Sequence, residues 1–147
     1  MSYQSVFRSD LFTNKVVLVT GGGSGIGRCT AHELASLGAR VILAGRRQDA
    51  LDAVAAEIIE DGGAADTAAM DIRDEDLVRA SVARIVASHG PVHGLVNNAG
   101  GQFPSPLANI SAKGFRAVVD TNLTGGFLVA REVFNQSMKE SGGAIVN

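Results

Sequence analysis

The sequence contains one cysteine, Cys29, and only three prolines among its 147 residues. A single cysteine cannot form a disulfide within the chain, which excludes a disulfide-stapled secreted domain and suits a reducing compartment. No apolar run reaches membrane-spanning length, and residues 1–12 lack the continuous apolar core of a signal peptide. The sequence therefore predicts a cytoplasmic protein that does not associate with membranes.

Charge of one sign is also lacking, because 13 basic residues stand against 15 acidic ones. The basic residues are scattered, so the chain has no broad positive field for nucleic acid. None of the three histidines has metal-like spacing with Cys29 or with an acidic cluster, and we expect no metal site. Glycine is abundant at 18 residues, which favours the tight turns and close backbone approaches of a nucleotide-binding domain.

Short apolar runs alternate with amphipathic segments along the whole chain, the pattern of parallel βαβ units. The predicted strands are residues 16–20, 40–44, 64–70, 94–98 and, as an opening strand, 144–147. The predicted helices are residues 25–37, 48–61, 74–88 and 111–140, with Asp74 and Ser111 as N-caps. We expect an α/β fold with a doubly wound parallel sheet in the strand order 3-2-1-4-5.

The predicted helices carry apolar stripes that suggest their inner faces. The second helix has such a stripe at Leu51, Val54, Ala55 and Ile58, and the third at Leu77, Val78, Ser81, Val82 and Ile85. The long fourth helix has two apolar faces. One consists of Phe115, Val119, Leu123, Phe127, Ala130, Phe134 and Met138, and the other of Val118, Val129 and Val133. A second face predicts packing against further chain or another subunit.

A glycine-rich segment, residues 20–27, lies between the first strand and the first helix. Glycine allows positive φ in the turn and lets a diphosphate approach the backbone, while the helix N-terminus offers free N–H groups and a positive dipole end. A tight turn without a ligand would use the same glycines. The strand-turn-helix context nevertheless favours anion binding.

The spacing of Gly21, Gly25 and Gly27 gives T-G-x-x-x-G-x-G rather than the strict G-x-G-x-x-G fingerprint. It resembles the short-chain dehydrogenase/reductase family, as do Asn97-Asn98-Ala99-Gly100 after the fourth strand and Asp71 after the third. The resemblance implies a Rossmann dinucleotide-binding domain over residues 1–147, cut off within its fifth strand. It also implies a homo-oligomer, either a dimer or a tetramer.

Residues 98–103, the pair Ser105-Pro106 and residues 121–125 are similar to the enoyl-CoA and 2,4-dienoyl-CoA reductase subgroup of that family. We therefore expect an oxidoreductase that moves hydride between a nicotinamide and a carbonyl or enoyl-CoA substrate. A 3-oxoacyl or alcohol dehydrogenase of the same family is an alternative. A nucleotide-binding fragment without turnover is another.

The resemblance also implies which residues hold the cofactor. Those lining the pyrophosphate and ribose would be Gly21, Ser24, Gly25, Ile26 and Gly27. Asp71 would accept a hydrogen bond from the adenine amino group and the backbone of Ile72 would close that pocket, while Asn98, Ala99 and Gly100 would complete the site. Each has an alternative: Asp71 suits a turn before the next helix, Asn98 can bond strand-end backbone groups, and Gly100 can shape a turn.

Cofactor choice follows from the end of the second strand. An acid there would bind the ribose 2′-hydroxyl of NAD and repel a 2′-phosphate. The sequence instead has Gly45 followed by Arg46 and Arg47. Guanidinium groups grip phosphate through paired donors, so NADP is the predicted cofactor, with Arg46 as its main phosphate contact. A solvated Arg pair at a helix start is the alternative.

Asn122 lies inside the long helix, where asparagine has poor propensity. In the family that this chain resembles, the matching Asn leaves a kink that holds a water in a proton relay, so Asn122 is the candidate catalytic residue. It could instead face solvent. The family's Ser, Tyr and Lys follow the fifth strand, and the one tyrosine of this sequence, Tyr3, comes too early to replace them.

Overall fold

Five parallel strands form the sheet of the computed structural model, which describes residues 5–147. The strands are β1 (Val16–Thr20), β2 (Arg40–Gly45), β3 (Ala64–Ala69), β4 (Gly94–Val96) and β5 (Ala144–Val146). Their order is β3-β2-β1-β4-β5, and every neighbouring pair is parallel. The predicted doubly wound α/β fold and its strand order are confirmed.

Helices follow each of the first four strands. They are α1 (Gly25–Ser36), α2 (Gln48–Glu60), α3 (Glu75–His89), α4 (Ala112–Val119), α5 (Gly126–Val133) and α6 (Lys139–Ser141). The predicted N-caps are confirmed, because Asp74 accepts from the Leu77 N–H and Ser111 from the Gly114 N–H, both at 3.0 Å. Among the described residues, every helix is too short or too polar to cross a membrane.

Apolar side chains fill both faces of the sheet, which explains the unbroken apolar run of β1. Val16 and Leu18 belong to a core shared with α3 and α5, whereas Val17 and Val19 belong to a core shared with α1 and α2. Successive strand residues point to opposite faces, so one five-residue strand supports both cores.

The long fourth helix differs from the prediction. Two π-helical segments, Asp120–Gly125 and Phe134–Met138, interrupt it. Val129 and Val133 are fully buried against the sheet, whereas Phe127 and Phe134 are 57% and 49% exposed. Each π turn adds a residue and rotates the apolar repeat about the helix axis. The face with the longer sequence repeat is therefore mostly solvent-facing, although its last member, Met138, is buried.

Two smaller predictions are also corrected. Leu77 is 37% exposed rather than part of the inner stripe of α3, because Val78, Ser81, Val82 and Ile85 already fill the contact with the sheet. The fourth strand ends at Val96 rather than at residue 98. Asn97 and Asn98 lie beyond it, where their side chains bond to backbone groups of other segments.

His93, which lies just before β4 at the amino ends of the strands, supports the pairing of β1 with β4. The His93 ring accepts a hydrogen bond through Nδ1 from the Val16 N–H at 3.1 Å, and the His93 N–H donates to the Val16 carbonyl at 2.8 Å. Burial, and to a lesser extent the charge of Lys15, lowers the pKa of His93. The ring is thus held neutral, as its acceptor role requires.

This arrangement predicts a loss of stability in acid. Because the pKa of His93 is lower in the folded chain than in the unfolded one, its contribution is fully present above the unfolded value of about 6.5. It is lost as pH falls through the folded value. Thermal melts across this range should show the decline, and His93→Asn, which keeps an acceptor near Nδ1, should flatten it. The control His89→Asn should keep the wild-type slope; equal slopes for all three proteins would contradict this role of His93.

Candidate functional site

A cleft of about 850 Å³ lies at the carboxyl edge of the sheet. It opens where the strand order reverses between β1 and β4, the usual position of ligand sites in doubly wound sheets. Its walls come from the turns after β1, β2, β3 and β4 and from the start of the long helix. Eleven of the twelve predicted cofactor residues line it; Gly27 does not.

The glycine-rich turn after β1 has the backbone conformation expected of a phosphate-binding turn. Gly21 and Gly25 have φ values of +68° and +54°, in the region that favours glycine. A Cβ on Gly21 would lie 2.7 Å from the side-chain nitrogen of Asn98, and one on Gly27 would collide with the Gly21 carbonyl. Gly27 therefore serves close packing of α1 on the turn rather than the cleft wall.

The N-terminus of α1 lies in the wall of this cleft. The first N–H groups of a helix have no intrahelical partner. Ser24, the N-cap of this 12-residue helix, forms no side-chain cap bond to them. At Gly25 the space that a Cβ would occupy is open, and the neighbouring Ile26 is 77% exposed. These free donors and the helix dipole suit an anion held against the turn.

Hydrogen bonds between β1 and the segment after β4 hold the turn in place. The Asn98 side chain donates to the Thr20 carbonyl at 2.9 Å. The Thr20 hydroxyl accepts from the Ala99 N–H at 3.0 Å and donates to the Val96 carbonyl at 3.3 Å. Asn98 thus bonds strand-end backbone groups, as its alternative reading proposed, while it also lines the cleft. The structural role of Thr20, whose hydroxyl ends an apolar strand, was not predicted.

Two unpaired cations lie at the end of β2. Arg46 and Arg47 follow Gly45, line the cleft and are exposed. Neither side chain forms a hydrogen bond or salt bridge with any residue between 5 and 147. By contrast, six other arginines of the same region are paired with carboxylates: Arg8, Arg28, Arg40, Arg73, Arg79 and Arg131. The end of β2 therefore presents free guanidinium groups and no carboxylate.

Asp71, which follows β3 and Met70, is held by a neighbour that sequence reasoning missed. The Arg73 guanidinium donates from Nε to Oδ1 at 2.9 Å and from Nη2 to Oδ2 at 2.6 Å, and the Arg73 N–H donates to Oδ1 at 3.0 Å. These bonds to Arg73 lower the pKa of Asp71 to about 2. Asp71 therefore forms a turn and lines the cleft at once, with Ile72 buried beside it.

Asn122 lies in the first π-helical segment and outside the cleft wall, which Thr121 lines instead. Its carboxamide binds the backbone of Gly101 in both directions, accepting from the N–H at 3.2 Å and donating to the carbonyl at 2.7 Å. It also donates to the Val118 carbonyl at 2.8 Å. Asn122 is exposed, and its carboxamide ties the loop after β4 to the long helix.

Within residues 5–147, no group of three or more His, Cys, Asp and Glu side chains is arranged to hold a metal ion. Tyr3 lies outside the described residues.

A parallel sheet with a glycine turn and free helix N–H groups at its switch point defines the class of dinucleotide-binding α/β proteins. The residues present fit such a cofactor: the turn accommodates a diphosphate, and the cations at the end of β2 face the same cleft. The sequence profile described as "short chain dehydrogenase" matches residues 15–147. The chain belongs to the short-chain dehydrogenase family.

Curated relatives include both dehydrogenases and reductases. The chain is 41% identical over 141 residues to a glucose 1-dehydrogenase of Gluconobacter oxydans, covering 94% of this chain and 53% of that protein. It is 31% identical over 146 residues to a peroxisomal 2,4-dienoyl-CoA reductase of Danio rerio, covering 99% and 49%. The chain thus spans about half the length of these relatives.

Solved structures agree with the fold. A citronellol catabolism dehydrogenase of Pseudomonas aeruginosa PAO1 superposes with a TM-score of 0.95 at 61% identity, covering 99% of this chain and 59% of that one. An actinorhodin polyketide ketoreductase with NADPH gives 0.87 at 40% identity, covering 90% and 52%. An NAD⁺-bound xylitol dehydrogenase gives 0.88 at 35% identity, covering 92% and 53%. Both nicotinamide cofactors therefore occur among similar structures.

The glycine turn gives a direct test of the site. Gly25→Val should abolish cofactor binding, because a β-branched residue tolerates neither positive φ nor a phosphate against its backbone. Gly62→Val is the matched control: Gly62 has φ +85° and open space at its Cβ position, but it lies between α2 and β3, outside the cleft wall. Circular dichroism should show both variants folded, and fluorescence titration should show binding lost only in the first. Unchanged affinity of a folded Gly25→Val variant would exclude this turn as the phosphate site.

Proposed function

We propose that the chain is the cofactor-binding part of an NADP-dependent oxidoreductase that transfers hydride between the nicotinamide and a carbonyl or enoyl-CoA substrate. The observation that carries the proposal is the end of β2, where Gly45 leaves no carboxylate and Arg46 and Arg47 are unpaired beside the cleft. An anion is thus the natural ligand at the position where NAD-binding proteins use an acid.

The chemistry of the guanidinium group favours the 2′-phosphate of NADP at this position. A planar fork of N–H donors binds phosphate oxygens through charge-assisted hydrogen bonds. Arg46 has no competing partner among the described residues, so binding the phosphate breaks no existing salt bridge. Arg46 is the proposed main contact and Arg47 its neighbour at the start of α2.

The other cleft residues suit the rest of the cofactor. The free N–H groups after Ser24 and the open turn at Gly25 bind the diphosphate, and Asp71 accepts from the adenine amino group beside the Ile72 backbone. Asn98, Ala99 and Gly100 hold the wall opposite the glycine turn. When bound, the nicotinamide supplies or accepts the hydride.

We propose that Asn122, within the long helix, positions a water of the proton relay. Its carboxamide fixes the Gly101 backbone, and the π-helical segment leaves its surroundings exposed to solvent. A π turn breaks the regular helical bonding and is frequent at functional sites. This supports the relay role that the family resemblance implies, with Asn122 positioning a water rather than donating the proton itself.

The substrate class is proposed from resemblance. Segments of the loop after β4 and of the first π-helical segment are similar to enoyl-CoA and 2,4-dienoyl-CoA reductases, and two 2,4-dienoyl-CoA reductases are among the relatives. A 3-oxoacyl or alcohol dehydrogenase remains the second candidate, favoured by relatives such as the glucose 1-dehydrogenase.

We also propose a homo-oligomer. The solvent-facing side of the long helix carries four large apolar residues that are between 49% and 68% exposed: Phe115, Leu123, Phe127 and Phe134. Apolar patches of this kind mark interaction surfaces. The cytoplasmic location inferred from the sequence stays a prediction.

Cofactor preference can be tested on the chain itself. Arg46→Ala should weaken NADPH binding by about 1.5 to 3 kcal/mol, the range for hydrogen bonds to charged groups, and leave NADH binding nearly unchanged. Fluorescence titration with each cofactor measures both values, and the NADH titration of the same variant serves as its control. Equal losses for the two cofactors would rule out a 2′-phosphate contact at Arg46.

The reaction needs a longer protein. We expect a chain of these 147 residues to bind NADPH without turnover, because the family's proton-donating Tyr and its Lys have no counterpart in residues 5–147. A longer chain that includes these residues and supplies both should consume NADPH with a 2-enoyl-CoA or a ketone. Parallel assays with the two substrates decide between the candidate functions. Turnover by the 147-residue chain would show that the proton comes from another group.

A further inference from the structure

The cleft contains one carboxylate among three arginines, and that carboxylate is already paired. The charged residues of the cleft wall are Arg46, Arg47, Asp71 and Arg73. Arg73 uses Nε and Nη2 to grip both oxygens of Asp71, at 2.9 and 2.6 Å. Two parallel bonds of this kind fix the relative orientation of the groups as well as neutralising their charges.

The partners available to Asp71 explain why this pairing matters. Arg46 faces the same carboxylate, close enough to contribute to its low pKa. Asp120 is a second acidic group that faces Arg73 from the first π-helical segment. Without Arg73, the nearest cation left for Asp71 in the cleft wall would be Arg46, the residue proposed to bind the 2′-phosphate.

We propose that Arg73 is a specificity-determining residue. Its paired hydrogen bonds to Asp71 prevent that carboxylate from forming a salt bridge with Arg46 and from repelling the 2′-phosphate. This inference rests on the proposed function and deepens it, since it concerns the same cofactor site. Arg73 acts through Asp71 and Arg46, so it is a positioning residue rather than a phosphate ligand.

The backbone turn at residues 71–73 explains why Arg73 pairs with Asp71. The Asp71 carboxylate accepts a hydrogen bond from the Arg73 N–H at 3.0 Å. The turn that begins at Asp71 therefore brings the Arg73 guanidinium back to the Asp71 carboxylate. Asp74, the residue directly after Arg73, is engaged in capping α3. Arg73 is therefore directed to Asp71, and the two side chains remain 43% and 29% exposed at the cleft wall.

Two adenine nucleotides isolate this effect. Adenosine 2′,5′-bisphosphate and 5′-AMP differ only by the 2′-phosphate, so the ratio of their dissociation constants measures selectivity for that group and cancels changes in adenine binding. The ratio used below is the dissociation constant of 5′-AMP divided by that of the bisphosphate. Isothermal titration calorimetry of the 147-residue chain measures it without any catalytic assay. If wild-type protein shows no preference for the bisphosphate, the proposed NADP preference itself is overturned.

Given that preference, Arg73→Gln should reduce the ratio about three- to tenfold, as expected for a partly screened charge released near the phosphate. Asp71→Asn/Arg73→Gln should restore it, because no carboxylate then remains in the cleft wall. Arg79→Gln is the matched control: it removes another partly exposed arginine, which pairs with Glu75 and Asp76 on α3, outside the cleft wall. It should leave the ratio unchanged.

Two outcomes would overturn the role of Arg73 while leaving the proposed function intact. One is an unchanged ratio in Arg73→Gln. The other is a ratio that stays low in the double variant, which would mean that the turn around Arg73, rather than the charge of Asp71, shapes the phosphate site. Circular dichroism melts confirm that each variant is folded before its titration.

Discussion

The tie between the end of β1 and the segment after β4 is the contact on which the rest of the site depends. Thr20 is nearly fully buried, and its hydroxyl and carbonyl bind Val96, Asn98 and Ala99. These bonds join β1 and β4 at the point where the strand order reverses. Because Gly21 and Gly27 have no Cβ, Asn98 and the start of α1 can close on the same turn. The cleft is therefore shaped by contacts between side chains and the backbone of the chain itself.

Electrostatics then divides the cleft into two kinds of surface. At the end of β2 the guanidinium groups of Arg46 and Arg47 have no protein partner among residues 5–147, whereas after β3 the carboxylate of Asp71 is held by Arg73. Pairing one cation with the carboxylate leaves the others available to an anion. The charge of the site thus comes from which groups are already satisfied, as much as from how many are present.

The strands, the first three helices and the glycine turn were predictable because their signals are local: apolar runs, helical stripes and turn residues. Most cleft residues were predicted from the family resemblance, whereas Arg46 and Arg47 were predicted from the missing acid at the end of the second strand. Thr20 and Arg73 were missed for a different reason. A hydroxyl at a strand end has no unique partner in the sequence, and Arg73 has Asp71, Asp74 and Asp76 all within three residues. Only the fold decides among them.

The exposed side of the long helix could not be predicted either, since a 3.6-residue repeat assumes an unbroken helix and the π-helical segments shift its phase. The first of these segments also has a structural use. Gly125 packs against Ile72, whose side chain would lie 2.7 Å from a Cβ there, while Asn122 in the same segment holds Gly101. One distorted turn therefore supports two walls of the cleft, the one after β3 and the one after β4. A regular helix would change the angle between Asn122 and Gly125 and could not keep both contacts, which is a physical reason for the distortion at this point of the chain.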